Sequence, residues 1–394
     1  MRHVLVPLCL ALAAGAVPAL PALAQTGCGG SFPAFLDGVK REAASRGHDP
    51  AAAARFLAGA RQDPRVLKAD RAQGIFQMNF TDFARRVISA NRIQNGQKNA
   101  QRHAATFAAI QQQYGVPKGI LLAFWGLETD FGQVQGDFNT LNALLTLAHD
   151  CRRPDLFRPQ VFAALTLYER GDFDPARTTG AWAGEIGQVQ MLPADILENG
   201  VDGDGNGHVD LKGSAADALF SGAKMLRSIG WRPNEPWLQE VTVPAGLDWS
   251  RSGLNHPAPA RDWAAMGVRP RQGSLPDLPA ALLLPQGRNG PAFLAYPNFN
   301  VLFEWNKSFV YVTSAAYFAT RLEGAAVFDP GNPGPALSGE QMLALQRKLV
   351  ARGHDVGGVD GILGEMTREA VQAEQQRLGL PADAWPTPDL LNRL

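Results

Sequence analysis

From Gly30 to about Leu226 the apolar positions recur mostly with a helical period. "FPAFLDGVKREAASRG" and "AAAARFLAGA" read as amphipathic helices, as does "RHAATFAAIQQQYG", which closes on Gly115. Val116-Pro117 then opens a further helix through "LLAFWGLETDFG", with proline at a first-turn position that tolerates it. Between residues 232 and 300 prolines and glycines are frequent, and short apolar runs such as "ALLLP" and "AFLAY" predict short strands among loops. "FVYVTSAAYFATRLEG" returns to helix. "FDPGNPGPAL" is rich in proline and glycine with little to bury, so a boundary is expected there.

Beyond that boundary the chain has its own pattern. "EQMLALQRKLVARG" places Met342, Leu345 and Leu349 on one helical face, and "VGGVDGILG" is a turn-rich connector. "TREAVQAEQQRLG" is expected to start at a capping Thr367 and to run its apolar face through Ala370, Val371, position 374 and Leu378. Glu374 interrupts that face. "TPDLLNRL" supplies a last short helix, so the pattern predicts a mainly α chain ending in a small three-helix domain.

Composition adds bounds. A 45% hydrophobic fraction over 394 residues supports real cores, and 37 basic against 37 acidic residues give no electrostatic reason to expect nucleic acid or anionic lipid. "MRHVLVPLCLALAAGAVPALPALAQ" has a basic start, an apolar stretch and Ala-Leu-Ala before Gln25, the layout of a secretory signal cleaved near Ala24. No later segment is apolar enough to cross a bilayer, so an exported chain without a membrane span is expected. Cys9 leaves with the signal. Cys28 and Cys151 then remain, and an oxidising compartment favours one disulfide between them. A lipoprotein would need Cys28 as its new N-terminus, but "AQTG" lacks the usual apolar residue before it.

Two stretches carry candidate chemistry. In "VDGDGNGHVD" Asp202, Asp204 and Asn206 alternate, Gly207 follows, and the His208 carbonyl falls at position seven, which is the first half of a calcium loop. Position twelve is Gly213 where a bidentate Glu is standard; Asp217, on the next helix, is the candidate for the missing carboxylate. A plain Asp/Gly turn is the bland alternative. Glu128 ends a densely apolar run, with Trp125 and Phe131 three residues to either side as its expected walls. An apolar setting raises a carboxyl pKa toward a proton-donating form, although most such glutamates only pair with an arginine or a capping amide. Asp130 cannot assist, because residues two apart on a helix face different ways.

"FWGLETDFG", "WAGEIGQVQMLP", "DGDGNGHVDL", "GPAFLAYPNFNVL" and "EWNKS", in this order over residues 30–325, resemble the periplasmic lytic murein transglycosylases of the membrane-bound lytic transglycosylase B type. "LQRKLVARGHDVGGVDGILGEMTREAV" resembles a small peptidoglycan-binding domain. The resemblance implies a lysozyme-like catalytic domain over residues 25–328, a linker over 329–337 and a peptidoglycan-binding domain over 338–394. It implies a periplasmic enzyme acting on peptidoglycan glycan strands, with no cofactor for chemistry; the calcium ion expected from the loop's spacing would then be structural. The resemblance makes Glu128 a lone acid, then base, that cuts between N-acetylmuramic acid and N-acetylglucosamine and leaves a 1,6-anhydro ring.

Other positions follow by match. Gln190 would line the sugar groove, Arg152 and Arg153 would face the stem peptide, and Asn306 and Ser308 would lie near the acid. Trp305 stands where relatives often carry tyrosine, and Ala181 where they carry serine, so two hydroxyls are missing; Trp305 keeps an N–H to donate and a ring to stack on sugar. In the tail, Glu374 replaces a usual aromatic. Two other readings stay open: a muramidase that hydrolyses the same bond with water, and an inactive wall-binding protein.

Overall fold

A computed structural model describes residues 28–72 and 77–394 of the chain; the expected signal over 1–24 lies outside them. Among the described residues no helix is long and apolar enough to cross a membrane. The architecture is mainly α, lysozyme-like, with two small sheets and a C-terminal helical unit.

One continuous core runs from Phe35 to Phe328. At its centre lies the helix Lys118–Thr129, packed on Phe309–Leu322, with nine of its twelve residues buried. A helix enclosed on all sides needs no polar stripe, which is why "GILLAFWG" is almost unbroken by polar residues. Pro117 is its N-cap rather than a first-turn residue. The helices Thr140–His149 and Pro154–Arg170 pack on each other beside it.

The loop-rich stretch after residue 232 folds into a five-stranded antiparallel sheet. Its order is Ala258–Pro259, Pro279–Leu283, Ala292–Ala295, Leu238–Thr242, Arg269–Pro270. Leu282 pairs with Leu294, and Leu283 with Phe293. Leu283, Phe293 and Ala295 face the main core, while Leu282, Leu294 and Ala292 face a second core with Trp263 and Tyr296. Both faces are covered, so these strands read as apolar runs rather than as alternation.

The tail forms the helices Gly339–Ala351, Glu365–Arg377 and Pro388–Arg393 around Leu345, Leu349, Val371 and Leu390. Ser338 and Gln341 close a capping box on the first. Thr367 is not a cap: Gly364 is, and Thr367 is buried one turn in, donating to the Val356 carbonyl at 3.3 Å. Glu374 is buried because it is paired, with His354 at 2.8 Å and Arg377 at 2.7 Å. The tail lies docked against the body. Arg368 is buried, donates to the Pro285 carbonyl at 2.8 Å and lies 4.1 Å over the Phe309 ring. Gln372 donates to the Ser252 carbonyl at 2.9 Å, and Arg288 pairs with Asp383 at 3.0 Å. The linker itself lies against the body through Asn332 N–H to the Asn289 carbonyl, 2.7 Å.

Candidate active site

Glu128 is the penultimate residue of Lys118–Thr129 and opens into a cleft of about 1190 Å³. The helix stops abruptly there. Asp130, Phe131 and Gly132 follow with φ of 51°, 62° and 85°, a run of left-handed backbone that a bulky phenylalanine adopts only under constraint. Arg92 supplies part of that constraint by holding Asp130 at 3.1 Å. Asp130 is not among the residues that line the cleft.

The expected walls are wrong. Because the helix ends at Thr129, Phe131 turns back and packs edge-on against Trp125, with ring centroids 5.6 Å apart. Neither ring lines the cleft. Trp125 Nε1 donates to Gln188 Oε1 at 3.0 Å and Thr129 Oγ1 to the Gln188 carbonyl at 2.6 Å, so this pair braces the helix end instead.

The groups that reach the carboxyl come from 177 and 183 residues away: Trp305 Nε1 donates to Glu128 Oε1 at 3.3 Å, and Tyr311 Oη donates to the same oxygen. Trp305 is fixed by stacking on Phe124, centroids 4.4 Å apart. Burial pushes the Glu128 pKa from 4.5 to about 7, outweighing both donors, which act the other way. Burial, with Glu128 as neighbour, also holds the Tyr311 phenol well above its ordinary value. With two donors on Oε1, Oε2 is the oxygen left to carry a proton.

The matched positions are placed unevenly. Asn306 and Ser308 both line the cleft, but their bonds build the start of Phe309–Leu322: Asn306 Oδ1 accepts from Ser308 N–H at 2.9 Å, and Ser308 Oγ caps Tyr311 N–H at 3.4 Å. They position Tyr311. Gln190 lines the cleft at φ 54°, its amide N–H donating to the Gly187 carbonyl at 2.7 Å. Arg153 lines the cleft and Arg152 does not; both converge on one oxygen of Asp70, whose side chain is fully buried. Residues of the tail, among them Gly358, Asp360 and Met366, also line the cleft, as do Leu156 and Phe157.

Sequence reasoning missed Tyr311 and Glu185. The signal for Tyr311 was its place three residues after a capping serine. Glu185, in "WAGEIG", lines the same cleft, and burial raises its pKa. Cys28 and Cys151 are bridged, Cα atoms 5.0 Å apart across a separation of 123 residues.

The calcium-type loop folds around its own carboxylates. Asp202 accepts from Gly205, Asn206 and Gly207 N–H groups at 2.7, 3.0 and 2.7 Å, and Gly207 foremost holds its pKa below the ordinary value. Asn206 Oδ1 accepts from His208 N–H at 2.9 Å, while the His208 ring pairs with Asp172 at 3.0 Å. Asp217 is fully buried and accepts from Gly203 and Asp210 N–H at 2.9 and 2.8 Å. Oxygens of Asp202, Asp204 and Asp217 lie within 4.8 Å of one another, and none forms an ion pair with a protein cation among the described residues. Three carboxylates so close form an all-oxygen set that suits a hard cation. Leu211, downstream in the loop, accepts from Gln188 N–H at 2.9 Å, which ties the loop to the brace behind Glu128.

The chain matches the Transglycosylase SLT domain over residues 31–320 and a peptidoglycan binding domain over residues 338–394. Membrane-bound lytic murein transglycosylase B of Escherichia coli (strain K12) is 28% identical over 233 residues, 57% of this chain and 62% of that protein's length. SltB3 from Pseudomonas aeruginosa, in complex with NAG-anhNAM-pentapeptide, is similar with TM-score 0.85 and 38% identity over 93% of this chain and 99% of that one. The Escherichia coli lytic transglycosylase SLT35, in complex with calcium, is similar with TM-score 0.64 and 25% identity over 76% of this chain and 96% of that one. A match across most of the chain, and a fold shared along nearly all of a solved relative, place the chain in the transglycosylase SLT family, the peptidoglycan lytic transglycosylases.

Proposed function

We propose that the chain cuts the MurNAc–GlcNAc β-1,4 bond of peptidoglycan and leaves 1,6-anhydro-MurNAc ends, with Glu128 as acid and then base. One observation carries this reading: a carboxyl whose pKa is about 7, with both its protein donors on one oxygen, facing a cleft large enough for several sugars. Glu128 gives its Oε2 proton to the glycosidic oxygen as the C1–O bond breaks, and the substrate's N-acetyl oxygen stabilises the cation at C1. The resulting carboxylate, held by Tyr311 and Trp305, takes the proton from the C6 hydroxyl as O6 closes on C1. No water is consumed. That SltB3 was solved with NAG-anhNAM-pentapeptide supports the product assigned here.

In this reading Gln190 and Trp305 contact sugar, Asn306 and Ser308 act through Tyr311, and Arg153, with Arg152 beside it, meets the carboxylates of the stem peptide. Asp202, Asp204, Asn206, the His208 carbonyl and Asp217 would hold a calcium ion, as SLT35 was solved with one. Its chemistry there is charge neutralisation of the loop. Residues 25–328 form the catalytic domain and 338–394 the glycan-binding domain of an exported, periplasmic enzyme. Mass spectrometry of muropeptides after digestion of purified sacculi tests the reading. Anhydro ends are expected; reducing ends would make the protein a hydrolase, and intact strands a binding protein.

A further inference from the structure

Gln188 lies behind the cleft rather than in its lining, yet it is buried and all four of its polar groups are engaged. Two of the bonds go to the catalytic helix: its Oε1 accepts from Trp125, one turn before Glu128, and its carbonyl from Thr129, the residue after. The other two go the opposite way, N–H to the Leu211 carbonyl at 2.9 Å and Nε2 to the Lys212 carbonyl at 3.2 Å. The Lys212 carbonyl also accepts from Gln135 Nε2 at 3.1 Å, and that amide donates to the Gly132 carbonyl at 3.0 Å, at the end of the left-handed run. Gly132 has no room for a side chain, since a Cβ would lie 2.6 Å from Gln188 Oε1. Asp210 orders the turn that carries the two accepting carbonyls. Its Oδ1 accepts from Lys212 and Gly213 N–H at 3.0 and 2.9 Å, and its own N–H donates to buried Asp217 at 2.8 Å. An unbroken set of contacts therefore runs from the acidic loop to both sides of Glu128.

We propose that Gln188 is a positioning residue for Glu128: it fastens the end of the acid's helix to the turn from Asp210 to Gly213, so that the order of the acidic loop is felt at the acid. The catalytic consequence rests on the function proposed above. A general acid must hold its proton within hydrogen-bond reach of the glycosidic oxygen, and misplacement by about 1 Å costs on the order of a hundredfold. The helix cannot secure that place by continuing, because it ends one residue after Glu128. A buried amide with every bond made fixes one arrangement of its neighbours, whereas an apolar side chain of similar length tolerates several. The division of labour is clear from the contacts. Tyr311 and Trp305 hold the Glu128 carboxyl, and Gln188 holds the backbone that carries it.

The test pairs kinetics with the nitrogen-15 NMR signal of the Trp125 indole, assigned by its loss in Trp125→Phe. It compares the wild type, Gln188→Met, Asp210→Ala and the double variant. Methionine keeps the length of the side chain and removes the amide, while Asp210 is exposed and outside the cleft. Gln188→Met should shift the indole signal and lower kcat on soluble glycan strands about tenfold with KM unchanged, at a temperature where both proteins are folded. Asp210→Ala should move the same signal and lower kcat by a smaller factor, and should add nothing once residue 188 no longer carries its amide. An unchanged kcat in folded Gln188→Met would overturn the proposal, as would a loss carried by KM alone or an equal effect of Asp210→Ala in both backgrounds. Should Gln188→Met not fold, an unmoved Trp125 signal in Asp210→Ala is enough to overturn it. The indole signal needs no turnover, so it separates failure here from failure of the proposed function, which wild-type digests without anhydro ends would signal.

Discussion

Glu128 and the loop from Asp202 to Asp217 are two carboxyl sites in one chain, and their surroundings drive them to opposite charge states. Around Glu128 the neighbours are aromatic, the donors are few, and burial raises the pKa to about 7. Around Asp202 backbone N–H groups converge and lower it, while two further carboxylates crowd in. The residue type sets neither outcome. What decides it is whether the fold supplies hydrogen-bond donors or removes water without replacing them. One site is thereby suited to release a proton and the other to hold a cation.

Four experiments break or sharpen this contrast. Glu128→Gln has the largest expected effect, a loss on the order of a hundred- to ten-thousand-fold in turnover with glycan binding retained. A variant keeping more than about a tenth of the activity would remove Glu128 from the acid's role. Next comes the loop: added calcium should raise the melting temperature, by about 2.7 kcal/mol of stability at a hundredfold excess over Kd. Asp202→Ala should abolish that rise while activity remains measurable; a melting curve indifferent to calcium and EDTA would reduce the loop to a turn.

The third experiment follows from sign. Glu128 has a folded pKa above its unfolded one, so its acid form favours folding below about pH 4.5, and that contribution is lost as pH rises through about 7. Wild-type melting temperature should fall more steeply than that of Glu128→Gln across this range, and the rate should decline on the alkaline side of about pH 7. Parallel melting curves would show that Glu128 titrates at its ordinary value. The smallest effect is expected from Trp305→Phe, which keeps the stack on Phe124 and removes the longer of two donors, for roughly a tenfold or smaller loss. A loss as large as that of Glu128→Gln would place Trp305 in the chemistry itself.

Features local in sequence were legible. Asp202, Asp204 and Asn206 announce themselves by alternation, and Asp217 is reachable because it lies in the first turn of the next helix. The order of helices and the strand-bearing insertion also followed from period and punctuation. The donors to Glu128 were only half visible: Trp305 was found through an unusual residue at a matched position, whereas Tyr311 sits in a long apolar helix where only its place three residues after the capping Ser308 marks it. Trp125 and Phe131 misled because helical spacing was extended past Thr129, where three left-handed residues end it. Tail docking was hidden for a different reason. Buried Arg368 and Gln372 look like surface residues until a second layer supplies the carbonyls of Pro285 and Ser252.

The bridge from Cys28 to Cys151 ends one residue before Arg152 and two before Arg153. On its far side Gly29 N–H donates to the His149 carbonyl at 2.8 Å, so the clasp gathers the corner from which both arginines reach Asp70. The groups that touch the Glu128 carboxyl, Trp305 and Tyr311, lie outside this corner. A chain still carrying two thiols would therefore keep its acid in place but hold loosely the corner from which Arg152 and Arg153 reach Asp70.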